Sequence, residues 1–152
     1  MLKEGQKAVN FSLPSNLGKD ISLKDLAGKK VVLYFYPKDN TPGCTLEARD
    51  FQALKNEFEK NNTLILGISK DTIKSHNKFA EKEYLSFPLL SDENCSTCEA
   101  YGVWAEKSMC GKKYMGINRT TFLINEEGFI EKVWENVSVT CHATTILRYI
   151  MR

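Results

Sequence analysis

The sequence predicts an α/β fold, a three-layer sandwich with a central mixed β-sheet. Two features carry this prediction: a strand, a helix and a second strand follow one another in the first half of the chain, and a hairpin followed by a helix closes the second half. The 152 residues are 42% hydrophobic, with no repeat, low-complexity tract or flexible linker. We therefore expect one domain that spans residues 1–152.

The first strand is Val31–Tyr36, a continuous run of β-branched, aliphatic and aromatic residues that Pro37 ends. Such a run is typical of a strand buried on both faces of a sheet. Thr63–Ser69 has the same character and predicts a second buried strand. The short connections favour a right-handed parallel crossover between the two strands.

A helix over residues 44–60 joins these strands. Ala48, Phe51 and Phe58 fall on one stripe of helical period that extends back to Cys44. Cys44 is thus expected at a helix N-terminus, beyond the carboxyl end of a strand. Open α/β sheets tend to place their functional sites there.

The remaining elements follow from the same patterns. Residues 72–84 predict an amphipathic helix, and residues 87–90 an extended segment. Residues 117–124 and 129–134 predict an antiparallel hairpin, and residues 143–150 the closing helix.

Charge and hydropathy exclude several classes of function. There are 21 basic and 19 acidic side chains that alternate in sign, and the net charge of +2 argues against a nucleic-acid partner. No apolar run is long enough to span a membrane, and no apolar signal region follows the N-terminal charges, so we expect a cytoplasmic protein. The odd number of cysteines does not suggest a disulfide framework; they are Cys44, Cys95, Cys98, Cys110 and Cys141.

The segment Pro37–Cys44 is the most informative for chemistry. It places a single thiol at a helix start, with the Thr41 hydroxyl three residues earlier and two prolines that stiffen the loop. The backbone N–H groups of Gly43 and Cys44 are expected to be free at the helix start, where they can bind an anion. The pattern indicates a site prepared for a thiolate rather than a small buried cysteine.

Pro37, Thr41 and Cys44, in the spacing Pro-x3-Thr-x2-Cys, together with Arg119 far downstream, resemble the active-site quartet of peroxiredoxins. Three further segments are similar in sequence to the bacterioferritin comigratory protein, or peroxiredoxin Q, subfamily. They are Phe35–Asp39, Gly102–Trp104 and Gly116–Phe122.

The resemblance implies a thioredoxin-like fold with added N-terminal strands. It also implies reduction of hydrogen peroxide and organic hydroperoxides in oxidative-stress defence, with thioredoxin as electron donor, no metal or organic cofactor, and a monomer. Carried over, Cys44 is the peroxidatic thiol that becomes a sulfenic acid. Thr41 and Arg119 hold the peroxide oxygens, and Pro37 shields the pocket from water.

Glu47, three residues into the helix, is open to two interpretations: a carboxylate that complements the helix dipole, or one that orients Arg119. Tyr36 and Trp104 border the expected site, but aromatic residues next to a central strand are more typical of the core.

The sequence departs from the subfamily at the resolving cysteine, the thiol that attacks the sulfenic acid. Many members carry it five residues after the peroxidatic cysteine, where this chain has Arg49. Others carry it near the end of the next helix, which corresponds to residues 81–85, and no cysteine stands there.

Cys95 and Cys98 lie a little further along the chain, and either is a candidate for the resolving thiol. A one-Cys cycle with an external thiol, or resolution by Cys110 or Cys141, remains open as an alternative. A non-catalytic redox sensor is a rival to the enzyme, since oxidation of Cys44 alone could change a partner contact.

Cys95 and Cys98 also have the spacing of half a zinc site, but no second pair exists. His76 and His142 are isolated in sequence, and we interpret both as surface or helix-capping residues. We therefore expect no metal site.

Overall fold

A computed structural model describes all residues from 1 to 152. Its centre is a five-stranded sheet in the order β5-β4-β3-β8-β9. The pairs β3–β4 and β4–β5 are parallel, whereas β8 pairs with both β3 and β9 in antiparallel fashion, so the sheet is mixed as predicted. The strands are β1 (Ser12–Pro14), β2 (Asp20–Ser22), β3 (Lys30–Phe35), β4 (Thr63–Ser69), β5 (Leu89–Ser91), β6 (Trp104–Met109), β7 (Lys112–Ile117), β8 (Thr120–Ile124) and β9 (Ile130–Trp134).

The helix between β3 and β4 is interrupted. Instead of one helix over residues 44–60, α1 (Pro42–Ala53) is followed by α2 (Lys55–Lys60), with the break at Leu54. The start moves two residues upstream because proline is well suited to the first position of a helix. The other helices are α3 (Ile73–Glu83), α4 (Ser96–Tyr101), α5 (His142–Met151) and a 3-10 helix (Leu23–Leu26).

Alternate side chains of β3 feed two separate cores, one on each face of the sheet. Val31, Leu33 and Phe35 belong to one core, and Val32 and Tyr34 to the other. The second core is covered by α1, α2, α3 and α5, and the first by α4 and the N-terminal segment that includes β1. These two covering layers and the sheet form the predicted three-layer sandwich.

The β1–β2 pair is an antiparallel hairpin outside the central sheet, which agrees with the expected N-terminal strands. No helix of the structure combines the length and the apolar character that a membrane crossing needs.

The predicted hairpin over residues 117–124 and 129–134 is wrong at its start. Ile117 ends β7, which pairs with β6 in a separate hairpin that the sequence analysis missed. Cys110 and Gly111 form its two-residue turn, with φ of 52° and 79°. Paired left-handed residues of this kind suit tight hairpins, but a cysteine in the first position gives little sequence signal.

The interpretation of both histidines as surface or capping residues is also wrong. His76 is 0% exposed and His142 6% exposed. Each is buried because its ring has polar partners inside the fold. Nε2 of His142 lies 2.8 Å from the Thr121 hydroxyl, and both ring nitrogens of His76 have oxygen partners.

Candidate active site

The loop of residues 37–41 leads from the carboxyl end of β3 into α1 and places Cys44 in the first turn of that helix. The Cys44 side chain is only 1% exposed. The first backbone hydrogen bond of the turn runs from Thr45 N to Thr41 O, at 2.8 Å, so the N–H groups of Gly43 and Cys44 have no helical partner. The helix start therefore offers donors beside the sulfur, as predicted.

Arg119, between β7 and β8, joins two ionisable groups of α1, Cys44 and Glu47. Its Nη2 donates to the Cys44 Sγ at 3.3 Å, and its Nη1 donates to the Glu47 Oε1 at 2.6 Å. A Cβ on Gly43 would stand 3.3 Å from the same Nη2, so glycine leaves room for the guanidinium. A cation at this distance stabilises a negative charge on the sulfur.

In the Glu47–Arg119 ion pair, the carboxylate is buried more deeply than the guanidinium. The Glu47 side chain is 1% exposed, and its Oε2 has no hydrogen-bond partner. Burial raises the pKa of Glu47 from about 4.5 to about 7, against the lowering effect of Arg119. Burial alone would lower the pKa of Arg119, but the negative charges of Glu47 and Cys44 raise it above its usual value, so Arg119 stays cationic.

The other two residues of the expected quartet lie on the same loop. Pro37 directly follows the buried Tyr36 and is half-buried. The Thr41 hydroxyl donates to the Lys38 carbonyl at 2.9 Å and does not cap α1 with its side chain. The structure thus brings Cys44 and Arg119 into contact, with Thr41 and Pro37 close by in sequence.

Two further ionisable side chains lie in the electric field of this site. Burial lowers the pKa of Lys107 on β6, and the charge of Arg119 lowers it further while Cys44 raises it. Burial and Arg119 together lower the pKa of His142 to about 4, which keeps that ring neutral. Sequence reasoning missed Lys107 because the β6–β7 hairpin that carries it was not predicted.

Cys95 and Cys98 are not brought to Cys44. They belong to the core on the opposite face of the sheet. Burial raises the pKa of both thiols, and Asp92 raises it further, so both stay protonated at neutral pH. Cys110 and Cys141 are exposed, and all five cysteines are free thiols.

One group of residues offers ligand atoms for a cation. Oxygen and nitrogen atoms of Asp39, Asp71 and His76 lie within 4.8 Å of one another, beside the active-site loop.

The AhpC/TSA family model matches residues 4–133, which include the whole site. The chain belongs to the AhpC/TSA family. It is 44% identical over 149 residues to the peroxiredoxin Bcp of Escherichia coli, which covers 98% of this chain and 96% of that relative.

Two solved structures give the same result for the fold. The bacterioferritin comigratory protein of Xanthomonas campestris matches with a TM-score of 0.89 and 43% identity over 93% of this chain and 90% of that one. A cysteine-to-serine mutant of Xylella fastidiosa PrxQ matches with a TM-score of 0.95 and 37% identity over 99% of this chain and 96% of that one. These matches confirm the thioredoxin-like peroxiredoxin fold and the subfamily resemblance.

The protein is therefore a peroxiredoxin, a thiol-dependent peroxidase that uses a hydroperoxide as oxidant and a thiol as reductant. This membership decides against the non-catalytic sensor. The departure at the resolving cysteine remains, since Arg49 is exposed on α1 and forms a salt bridge with Glu83 at 3.5 Å.

The pKa of Glu47 predicts a pH dependence of stability. Between pH about 4.5 and about 7, the folded protein keeps a proton on Glu47 that the unfolded chain releases. The free energy of unfolding therefore falls as pH rises through this window. Relative to Glu47→Gln, which cannot titrate, we expect wild type to lose up to about 3 kcal/mol across it.

Urea unfolding of both proteins at several pH values between 4.5 and 7.5 measures this difference. The comparison with Glu47→Gln cancels the contribution of the other titratable groups. A difference that stays constant across the window would show that Glu47 has an ordinary pKa in the folded protein.

Proposed function

We propose that Cys44 is the peroxidatic residue of this enzyme. Its contact with the guanidinium of Arg119, 3.3 Å from Sγ, carries the proposal. The thiolate attacks the distal oxygen of the hydroperoxide, an S–O bond forms and the O–O bond breaks. The leaving alkoxide or hydroxide takes up one proton and departs as alcohol or water, and Cys44 becomes a sulfenic acid.

Arg119 and the free N–H groups of α1 would stabilise the charge that moves onto the leaving oxygen. Donors that bind the peroxide oxygens more tightly as the O–O bond stretches lower the activation barrier. Formation of the thiolate alone accelerates the reaction only slightly. Thr41 would contribute its hydroxyl once it turns from the Lys38 carbonyl to the substrate. Pro37 would cover the sulfur and limit the access of water.

Glu47 would act on Arg119 rather than on the peroxide. Its Oε1 holds one end of the guanidinium at 2.6 Å, which leaves Nη2 directed at the sulfur. This arrangement favours the orienting interpretation of Glu47 over the helix-dipole interpretation. Gly43 supports it, because a larger residue would push against Nη2.

The proposed substrate range rests on the relatives. The Xanthomonas campestris relative is described for alkyl peroxide reduction activity. We therefore include organic hydroperoxides with hydrogen peroxide among the substrates.

We further propose that an external thiol reduces the sulfenic acid. That thiol condenses with it to a mixed disulfide and water, and a second thiol then releases Cys44 as a thiol. Resolution by Cys95 or Cys98 would need both helix starts to unfold, because a disulfide requires Cα atoms within about 7 Å and the two cores lie on opposite faces of the sheet. Their protonated thiols are also poor nucleophiles.

Thioredoxin is the proposed source of the external thiol, and a cytoplasmic monomer is the proposed working form. A reducing compartment suits five free thiols.

The chain would act as one catalytic domain over residues 1–152. Its first residues pack onto the sheet, where Gly5 N donates to Ile130 O at 2.8 Å.

Variants at Cys44 and Arg119 test the peroxidatic assignment. Cys44→Ser should abolish thiol-dependent peroxide consumption, since the serine hydroxyl is not ionised at neutral pH. Arg119→Ala should slow oxidation of Cys44 by about a hundredfold to a thousandfold, the usual cost of one lost transition-state donor. Stopped-flow fluorescence at several peroxide concentrations gives the second-order rate constants.

Arg119→Lys is the matched control because it keeps the charge but loses the second donor to Glu47, so its rate constant should lie between those of wild type and Arg119→Ala. Retained turnover in Cys44→Ser, or a wild-type rate of Cys44 oxidation in Arg119→Ala, would contradict the assignment of Cys44 as the peroxidatic residue that Arg119 assists.

Mass spectrometry of the reduced protein after one equivalent of peroxide tests the external-thiol proposal. With a sulfenic-acid trap, we expect the adduct on Cys44, and without added thiol no disulfide from Cys44 to Cys95 or Cys98. The Cys95→Ser/Cys98→Ser double variant should keep full turnover with thioredoxin. An internal disulfide mapped to either cysteine would instead establish a two-Cys cycle.

A further inference from the structure

A buried cluster of hydrogen bonds holds the loop that precedes Cys44, and Asp39 is its centre. Asp39 stands two residues before Thr41 and five before Cys44, and its side chain is 3% exposed. Tyr36, at the end of β3, donates its hydroxyl to Asp39 Oδ1 at 2.6 Å. Ser75, on α3, donates its hydroxyl to Oδ2 at 2.8 Å.

His76 is the third partner of the Asp39 carboxylate. Its Nδ1 lies 2.7 Å from Asp39 Oδ2, and its Nε2 lies 3.0 Å from the Leu90 carbonyl oxygen. The ring is completely buried, 0% exposed. One side chain thus connects the active-site loop to β5 through the start of α3.

Both oxygens that face the His76 ring are hydrogen-bond acceptors. A backbone carbonyl cannot donate, so the ring donates from Nε2 to Leu90. Nδ1 forms the other hydrogen bond of the ring, to Asp39. The ring therefore ties the Asp39 carboxylate to the backbone of β5, although neither residue touches the sulfur.

Asp71 adds a second negative group beside this pair. Its Oδ2 accepts the Asp39 backbone N–H at 2.9 Å and the Ser69 hydroxyl at 2.6 Å. Asp71 thus holds the backbone of the loop at Asp39, while His76 holds the Asp39 carboxylate.

We propose that His76 is a positioning residue for the peroxidatic loop. It fixes the carboxylate of Asp39, and thereby the backbone that sets Thr41 and the first turn of α1 against Arg119. The inference deepens the proposed function and rests on it, since the effect is read out as the rate of Cys44 oxidation. Geometry of this kind matters because a shift of about 1 Å at a reacting group can cost about a hundredfold in rate.

Two substitutions of His76 separate its two contacts. His76→Asn places an amide donor near the position of Nδ1, towards Asp39, whereas His76→Gln places one near Nε2, towards Leu90. We expect His76→Gln to slow Cys44 oxidation by about tenfold to a hundredfold, and His76→Asn to remain several-fold faster than His76→Gln. A role in stability alone would not produce this order.

Thr72→Ala is the matched control. Thr72 caps α3 through its hydroxyl, which accepts from Ser75 N at 3.1 Å, and its side chain is not among the hydrogen-bond partners of the Asp39 carboxylate. Its substitution should lower the melting temperature and leave the rate of Cys44 oxidation within about twofold of wild type, because a cap acts on helix stability. Where His76→Gln does not fold, Ser75→Ala replaces it, since this variant removes one donor from the same carboxylate oxygen and should slow the reaction by a few-fold.

Nitrogen-15 NMR of the His76 ring gives a readout independent of activity. A protonated Nε2 that donates to the Leu90 carbonyl is expected. An unprotonated Nε2 would overturn the proposal, and so would equal rates in His76→Asn, His76→Gln and wild type. If Cys44 of the wild type itself is not oxidised by peroxide, the peroxidatic assignment has failed instead, and the NMR result still decides whether His76 makes this hydrogen bond.

Discussion

The guanidinium of Arg119 is the group on which the rest of the site depends. It is held between a buried carboxylate and a buried sulfur, at 2.6 Å from Glu47 Oε1 and 3.3 Å from Cys44 Sγ. Each of these contacts is needed to balance the charge, because an isolated ion at such depth would cost several kcal/mol. The raised pKa of Glu47 reflects this cost, since burial outweighs the attraction of Arg119. A thiolate at Cys44 brings a second negative charge to the same cation, so the reactive state and the stability of the ion pair are linked.

The fold supplies this geometry from two directions. The loop and the first turn of α1 follow the carboxyl end of β3 in the parallel β3–β4 crossover. Because β8 is antiparallel to β3, its first residues lie beside that same end and bring Arg119 next to the loop. The loop between them has one left-handed residue, Asn40, with φ of 61°, and it lacks regular backbone pairing. The buried Asp39–His76 pair compensates for this lack. Rigidity at the reacting sulfur thus comes from side chains, whereas the sheet determines only where the loop begins and ends.

Local patterns were sufficient to predict the strands β3 and β4 and the position of Cys44 in the first turn of a helix, although that helix starts two residues earlier than predicted, at Pro42. The motif resemblance added Arg119, which no local pattern connects to Cys44 across 75 residues. The burial of His76 could not be predicted, because its partners Asp39 and Leu90 are 37 and 14 residues away in sequence. The separation of Cys95 from Cys44 could not be predicted either, since it depends on which face of β5 the following α4 covers. Contacts between polar groups that are far apart in sequence therefore could not be predicted from the sequence and became visible only in the folded structure.

The coupling between Glu47 and Arg119 is the central claim, and a double-mutant cycle on the rate of Cys44 oxidation tests it most directly. The second-order rate constants of wild type, Glu47→Gln, Arg119→Lys and the double variant are compared at pH 8, above the pKa of about 7 of Glu47. If Glu47 acts only through Arg119, the double variant should be no slower than the slower single variant. Effects that multiply in the double variant would show that the two residues act independently and would contradict the account.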